Sequence, residues 1–270
     1  MARIFAITNQ KGGVGKTTTC VNLAASLAAT KRRVLLLDLD PQGNATMGSG
    51  VDKHEVENSI CDVLLGDASI AETRVITETE NLAVVPGNSD LTAAEVALMN
   101  AEGREHRLRD ALALVNDEYD YILIDCPPSL NMLTLNALTA AEGVIIPMQC
   151  EYYALEGLSA LMETISQLRA SVNPRLEIEG LLRTMFDPRN RLANDVSNQL
   201  TTHFGDKVYR TLIPRNIRLA EAPSHGMPVI TYDKSSRGAV AYLALAGEIL
   251  RREEQLQQQA AAEAQSQATA

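Results

Sequence analysis

Gln10-Lys11-Gly12-Gly13-Val14-Gly15-Lys16-Thr17 follows a short apolar run, Ile4–Thr8, and leads into a helical segment, Lys16–Ala29. Glycines at this spacing let the backbone wrap so that successive N–H groups converge on phosphate oxygens, and the helix N-terminus adds its partial positive charge. Lys16 brings a point charge to β- and γ-phosphates, and the Thr17 hydroxyl is placed to ligate Mg²⁺. A plain glycine-rich turn would explain the glycines but not Gly-Lys-Thr between a strand and a helix.

Outward from this loop, short β-branched or Leu-rich runs alternate with longer helical segments. Arg33–Asp38, Tyr121–Asp125, Gly143–Met148 and Ile178–Thr184 read as strands, and Asn131–Ala140, Leu155–Ser171, Ala193–His203 and Ala239 to Arg252 as helices. Strands that are continuously apolar are buried on both faces, which predicts a mostly parallel twisted sheet with helices on both sides. The fold class is therefore α/β, a single P-loop NTPase-type domain over residues 1–252, followed by a Gln/Ala-rich tail, 253–270, that is expected to fray.

Composition removes several classes of function. The chain is 270 residues long, 46% hydrophobic and 21% charged, enough for a sizeable core and incompatible with wholesale disorder. Aromatics are 4% with no Trp, which argues against stacking platforms for single-stranded nucleic acid. Cys20, Cys61, Cys126 and Cys150 form no C-x-x-C pair, so they read as buried thiols in a reducing compartment. No stretch approaches the length of a membrane span, and the tail has no apolar stripe opposed by a basic one, so a cytoplasmic protein without a membrane partner is expected.

Two further strands end in carboxylates, at the sheet edge where ligands bind in open α/β folds. Val34-Leu-Leu-Leu-Asp38-Leu-Asp40-Pro41 is one, and Tyr121-Ile-Leu-Ile-Asp125-Cys-Pro-Pro128 has the Walker B pattern that holds Mg²⁺ directly or through water. The loop itself departs from the common G-x-x-x-x-G-K-[ST] pattern: Gln10 stands where the first glycine would, and Lys11 adds a second lysine.

In this the chain resembles the ParA/MinD superfamily of deviant Walker A ATPases. Asp40-Pro-Gln-Gly-Asn-Ala-Thr46, Asp125-Cys-Pro-Pro-Ser129, Glu151-Tyr-Tyr-Ala-Leu-Glu-Gly157 and Ile213-Pro-Arg-Asn-Ile-Arg-Leu-Ala-Glu-Ala-Pro223 are similar to its chromosomal ParA (Soj) branch, over Ala2 to about Leu250. The resemblance implies an ATPase with ATP and Mg²⁺, in which Lys11, Gly12, Gly13, Val14, Gly15, Lys16, Thr17 and Thr18 hold the nucleotide. Lys11 would reach across an ATP-dependent homodimer to the partner's nucleotide. Asp40 would position the attacking water, Thr17, Asp38 and Asp125 would serve the metal, and Pro214 and Asn216 would border the adenine. No glutamine or arginine finger is evident, which implies slow intrinsic hydrolysis. MinD-like action on a membrane or protein scaffold is the alternative reading, and a metabolic P-loop enzyme a third.

The formal net charge is −10, yet Arg183 to Arg218 holds seven Lys/Arg against three acids. A local basic segment on an acidic protein can contact phosphates without base readout, although a solvated face with surface pairs explains the run equally. By resemblance, Arg189 and Arg218 match DNA-contacting positions, Lys234 and Arg237 extend the patch, and Arg215 fits either the DNA or the nucleotide. The partners so implied are non-specific double-stranded DNA and a ParB-like centromere-binding protein, with the chain associated with the nucleoid. Glu151 is read either as holding Lys11 or the ribose, or as an acid at a helix start.

Overall fold

The computed structural model describes residues 1–152 and 154–268. In chain order the elements are β1 (Arg3–Ile7), α1 (Lys16–Ala28), β2 (Val34–Asp38), α2 (Asn44–Gly48), α3 (Ile60–Leu65) and α4 (Ile70–Thr73). Next come β3 (Val75–Ile76), β4 (Leu82–Val85), α5 (Leu91–Leu98), α6 (Arg107–Ala113), β5 (Tyr121–Asp125), α7 (Met132–Ala140) and β6 (Gly143–Gln149). The rest are α8 (Ala154–Ser171), β7 (Glu177–Phe186), α9 (Arg191–Phe204), β8 (Val208–Pro214), α10 (Ile217–Glu221), α11 (Val229–Tyr232) and α12 (Arg237–Ala268).

One eight-stranded sheet carries them in the order β3-β4-β2-β5-β1-β6-β7-β8. Its pairs are parallel except β3 with β4, as the continuously apolar strands predict. Alternate strand residues feed two cores, because side chains of a strand point to opposite faces. Phe5, Leu36, Leu123, Ile145 and Leu182 pack beneath α1 and α12. On the other face Leu35, Leu37, Ile122, Ile124 and Val144 meet α3 and α5 to α9. The central strand β1 lies between β5 and β6, so the loop that leaves it opens at the middle of the carboxyl edge of the sheet.

Each expected element is observed to within a few residues; α2 to α6, β3, α10 and α11 lie in stretches for which no element is expected, and three further places differ. Strand β4 is only four residues long, too short for its apolar run to be distinguished from a helix fragment. Strand β8 is interrupted by Arg210 and Thr211, which a continuous-run criterion passes over. It is the edge strand, and its exposed side takes polar residues. The third is the tail: α12 continues as helix to Ala268, with described residues 254–259 exposed, and residues 269–270 lie outside the described residues.

The β8 edge is closed from α12 by Glu248, which is 7% exposed. Its carboxylate accepts the Arg210 N–H at 2.8 Å and the Thr211 N–H at 2.9 Å, and meets Arg252 at 2.8 Å. Burial opposes the charge, but these hydrogen bonds outweigh it and hold the carboxyl below its ordinary pKa. Glu248→Ala orphans two backbone donors, each worth about 1–3 kcal/mol. The expected outcome is a lower urea midpoint at neutral pH, with the wild-type advantage shrinking as pH falls through the carboxylate range.

Candidate functional site

Two clamps fix the Gln10–Thr17 loop to the sheet. Asn9, buried at the end of β1, donates through Nδ2 to the Pro147 carbonyl at 2.9 Å and accepts the Lys11 N–H at 2.9 Å. Thr184 of β7 donates through Oγ1 to the Val14 carbonyl at 2.8 Å. Gly13 and Gly15 take φ values of +72° and +87°, the left-handed region that side chains with a Cβ avoid. A Cβ built on Gly12 or Gly13 would meet nothing within 4 Å, so the loop faces open space. Gly15 caps α1 with no side-chain hydrogen bond, which leaves the first amides of that 13-residue helix directed at the loop.

Lys16 is 7% exposed and reaches across the loop to the Lys11 carbonyl at 3.2 Å. Burial lowers its pKa, against the raising influence of Asp125 and Asp40. Lys11 instead stands outside, 42% exposed, with its ammonium 2.6 Å from Glu151. The two lysines of the motif therefore occupy different surroundings, one inside the cradle and one on its rim. Of the two readings of Glu151, the one in which it holds Lys11 matches this geometry.

Asp38 and Asp125 are register partners at the carboxyl ends of β2 and β5, and both are fully buried. Asp38 is supplied with donors: Oδ2 accepts the Thr46 N–H and hydroxyl, each at 2.8 Å, and Oδ1 accepts the Asp40 N–H at 3.2 Å. Burial nonetheless pushes its carboxyl up to about 6. Neither oxygen of Asp125 meets a donor at hydrogen-bonding geometry. Desolvation, then the neighbouring Asp38, raise its pKa strongly, and the nearby Thr17 hydroxyl is the group that most eases the charge. Two adjacent buried carboxylates, one of them orphaned, call for a cation beside Thr17. No group of three or more His, Cys, Asp or Glu among the described residues could hold a metal alone. The donor set therefore fits Mg²⁺ shared with phosphate oxygens, its usual mode.

Asp40 is half-buried at the site's rim and accepts the Gln42 N–H at 2.9 Å in a local turn. Thr46, quoted above only as the end of a motif, proves to be the residue that fixes Asp38. Its hydroxyl also accepts the Gly87 N–H at 2.9 Å, and a Cβ on Gly87 would lie 2.2 Å from the Asp38 carbonyl. Nothing in the spacing of Asp38 and Thr46 announces that bond, since a turn separates the strand end from α2, within which Thr46 lies.

Pro214 ends β8 in register with Phe186, and Asn216 caps α10 by accepting the Arg218 N–H at 3.0 Å. Between the ends of β6 and β7 and the loop after β8 is a 190 Å³ cavity whose lining includes Cys150, Glu151, Asp187 and Arg215. Arg215 thus shares a cavity with the acid that holds Lys11. Met185, with φ +48°, and Gln149 line the same cavity.

The basic segment is less coherent than its composition implies. Arg183 is half-buried, donating to the Ser197 hydroxyl at 2.7 Å and the Tyr209 carbonyl at 2.6 Å, so it is structural. Lys207 precedes β8 at the opposite edge of the sheet. Arg189 is 89% exposed and grips Asp187, pulling that carboxyl down to about 2. Arg218 lies 2.7 Å from Glu221 and 3.3 Å from Asp233. Register pairing of Phe186 with Pro214 brings the loops bearing Arg189 and Arg215 together. Ser235 and Arg237 line a 480 Å³ apolar cavity with Pro188 and Pro214, which sets α12's first turn beside them.

A family model described as an AAA domain matches residues 2–178. Sporulation initiation inhibitor protein Soj of Bacillus subtilis is 55% identical, over 92% of this chain and 98% of its own. Chromosome partitioning protein ParA of Caulobacter vibrioides is 52% identical, over 96% and 98%. A solved chain from Mycobacterium smegmatis, described as cobyrinic acid a,c-diamide synthase with bound ADP and magnesium, superposes with a TM-score of 0.82. It is 39% identical, over 94% of this chain and 96% of that one. Among the described residues no helix is long and apolar enough to cross a membrane.

The raised carboxyls make the ligand-free protein less stable as pH climbs. A carboxyl whose pKa is higher folded than unfolded contributes stability below about pH 4 and loses it as pH rises through its folded value. Asp125→Asn removes one of the two charges. Without nucleotide or Mg²⁺, the variant should melt higher than wild type at pH 7.5, by about 3 °C or more. The gap should close towards pH 4, and calorimetry across that range checks both limbs.

Proposed function

The chain belongs to the ParA/MinD superfamily of P-loop ATPases, within its chromosomal ParA (Soj) branch, and on that premise we propose that it is an ATP-timed switch for chromosome partitioning. The observation that carries this reading is the exposure of Lys11 on the rim of a loop whose interior already holds Lys16. A second lysine whose side chain stands outside its own cradle is available to a second subunit.

The amides of Gly12 to Thr18 would hold the phosphates of ATP, and Thr17 and Asp125 would hold Mg²⁺, which would supply neutralisation of phosphate charge. Asp38, fixed by Thr46, orders the Asp40 backbone, and Asp40 orients water for attack on the γ-phosphate. Pro214 and Asn216 border the base. Two ATP-bound chains face each other, and Lys11 exchanges Glu151 for the partner's phosphates. An exposed pair of this kind is worth only about 0–1 kcal/mol, so the exchange is inexpensive.

Arg189 and Arg218 then meet DNA phosphates, with Arg215 and Arg237 nearby. Their present partners, Asp187, Glu221 and Asp233, orient the guanidiniums and must yield to phosphate. Dimerisation doubles the number of such contacts, so affinity for non-specific duplex rises steeply with ATP. A ParB-like protein stimulates hydrolysis, the dimer parts, and the chain leaves the nucleoid.

Binding to a duplex of arbitrary sequence, with ATP, ADP or no nucleotide across a salt series, tests the reading. Binding confined to ATP and falling steeply with salt is expected. Arg189→Ala and Arg218→Ala should each weaken it several-fold and lower the salt slope by about 1 or more, since each dimer loses two contacts. Lys16→Ala should abolish ATP-dependent binding by abolishing nucleotide binding. DNA affinity indifferent to nucleotide would overturn the switch. Turnover that instead responds to a metabolite would favour an enzyme of the kind named for the Mycobacterium smegmatis chain.

A further inference from the structure

Helix α5 buries Leu91, Ala94 and Leu98 and turns Ala93, Val96 and Ala97 outward. Val96 is 64% exposed and Met99, just beyond the helix, 57%. Thr92, Glu95, Val96 and Met99 follow one another at the three- and four-residue spacing of a helix face. Leu130, 48% exposed, immediately precedes Asn131, whose Nδ2 donates to Glu95 at 2.9 Å. Apolar side chains are thus displayed on both sides of that hydrogen bond.

The charge around this face is mainly acidic. From Val75 to Gly103 the sequence holds Glu78, Glu80, Asp90, Glu95 and Glu102 and no Lys or Arg. Glu78 and Glu80 precede β4 at the opposite sheet edge, whereas Asp90 and Glu102 flank α5 and Glu95 lies within it. Beyond the helix Arg104 donates to the Met99 carbonyl and Arg107 to the Glu102 carbonyl at 3.3 Å, so basic groups enter only at its far end.

The N-terminal approach and one side of α5 are tied to the nucleotide site. Before it, Gly87 is bonded to Thr46 and pressed against Asp38. Along its side, Glu95 holds Asn131, whose Oδ1 accepts the Thr134 N–H at 3.1 Å and caps α7, six residues after Asp125. A load on α5 is therefore felt by the segments that follow both buried carboxylates.

We infer that the outer face of α5, with Leu130 beside it, is the docking surface for the protein that stimulates hydrolysis, through a segment apolar on one side and basic on the other. The inference rests on the proposed partner-stimulated switch. Apolar side chains fill the Val96–Met99 face, Lys or Arg side chains meet Asp90 and Glu102, and displacement of α5 reaches Asp38 through Gly87 and α7 through Asn131.

The test uses the full chain and, as probe, the ParB-like protein of the same organism. In Val96→Asp/Met99→Asp, unstimulated turnover and ATP-dependent DNA binding should stay within about twofold of wild type. The probe concentration giving half-maximal stimulation should rise about tenfold or more. In Glu102→Lys it should rise several-fold, and stimulation should become less sensitive to salt. Stimulation curves that coincide with wild type in both variants would overturn the surface. If the double variant loses unstimulated turnover, Glu102→Lys decides alone, its side chain lying outside the catalytic site. A wild-type chain that the probe fails to stimulate would overturn the partner reading itself.

Discussion

Two carboxylates buried side by side, Asp38 and Asp125, set the terms for the rest of the site. Parallel pairing of β2 with β5 places them in register, and burial removes the water that would screen them. Thr46 supplies donors to one, whereas the other meets no donor at hydrogen-bonding geometry and has only the Thr17 hydroxyl near it. Lys16 balances part of the charge from inside the loop but is itself strained towards neutrality by burial. A divalent cation held by Thr17 and Asp125 would relieve the carboxylates, so binding of Mg²⁺ with a nucleotide would be linked to stability of the fold. In this arrangement the absence of ligand is the costly condition.

The loop around that charge is rigid where it must hold phosphate and loose where the proposed switch must act. Asn9 and Thr184 fasten it to β6 and β7 through buried hydrogen bonds, which are expensive to break. Lys11 is fastened by one exposed ion pair, which is not. The same contrast separates Arg183, held on β7 by partners on α9 and β8, from Arg189 and Arg218, whose guanidiniums are exposed and paired with exchangeable carboxylates. Burial thus sorts residues of one type into structural and available ones, a distinction that counting charges along the chain does not make.

Further from the loop, the same carboxylates reach the surface through short connections. Thr46 and Gly87 join Asp38 to α5, and Asn131 joins α5 to the segment after Asp125. The Gly87 link is a backbone contact too close for a Cβ, and the Asn131 link is a single hydrogen bond to Glu95. The helix that completes this circuit also displays Val96 and Met99 beside Asp90 and Glu95, and that coincidence makes its outer face a place to regulate turnover.

The sequence by itself determined the parallel α/β sheet, the phosphate loop at the end of β1, and the carboxylates at the ends of β2 and β5. Those features are local: apolar runs, glycine spacing and a polar residue ending a strand are each written within ten residues. Strands β4 and β8 escaped because one is too short and the other, at the sheet edge, mixes polar residues into its run. Tertiary structure alone decided that Asp38 and Asp125 are neighbours, that Thr46 holds one and leaves the other orphaned, and that Glu151 takes Lys11. It also decided that Arg183 is structural and that Glu95 reaches Asn131. Each depends on how separate elements are brought together, or on which side chains lose their water, and neither quantity is recorded in the order of residues along one chain.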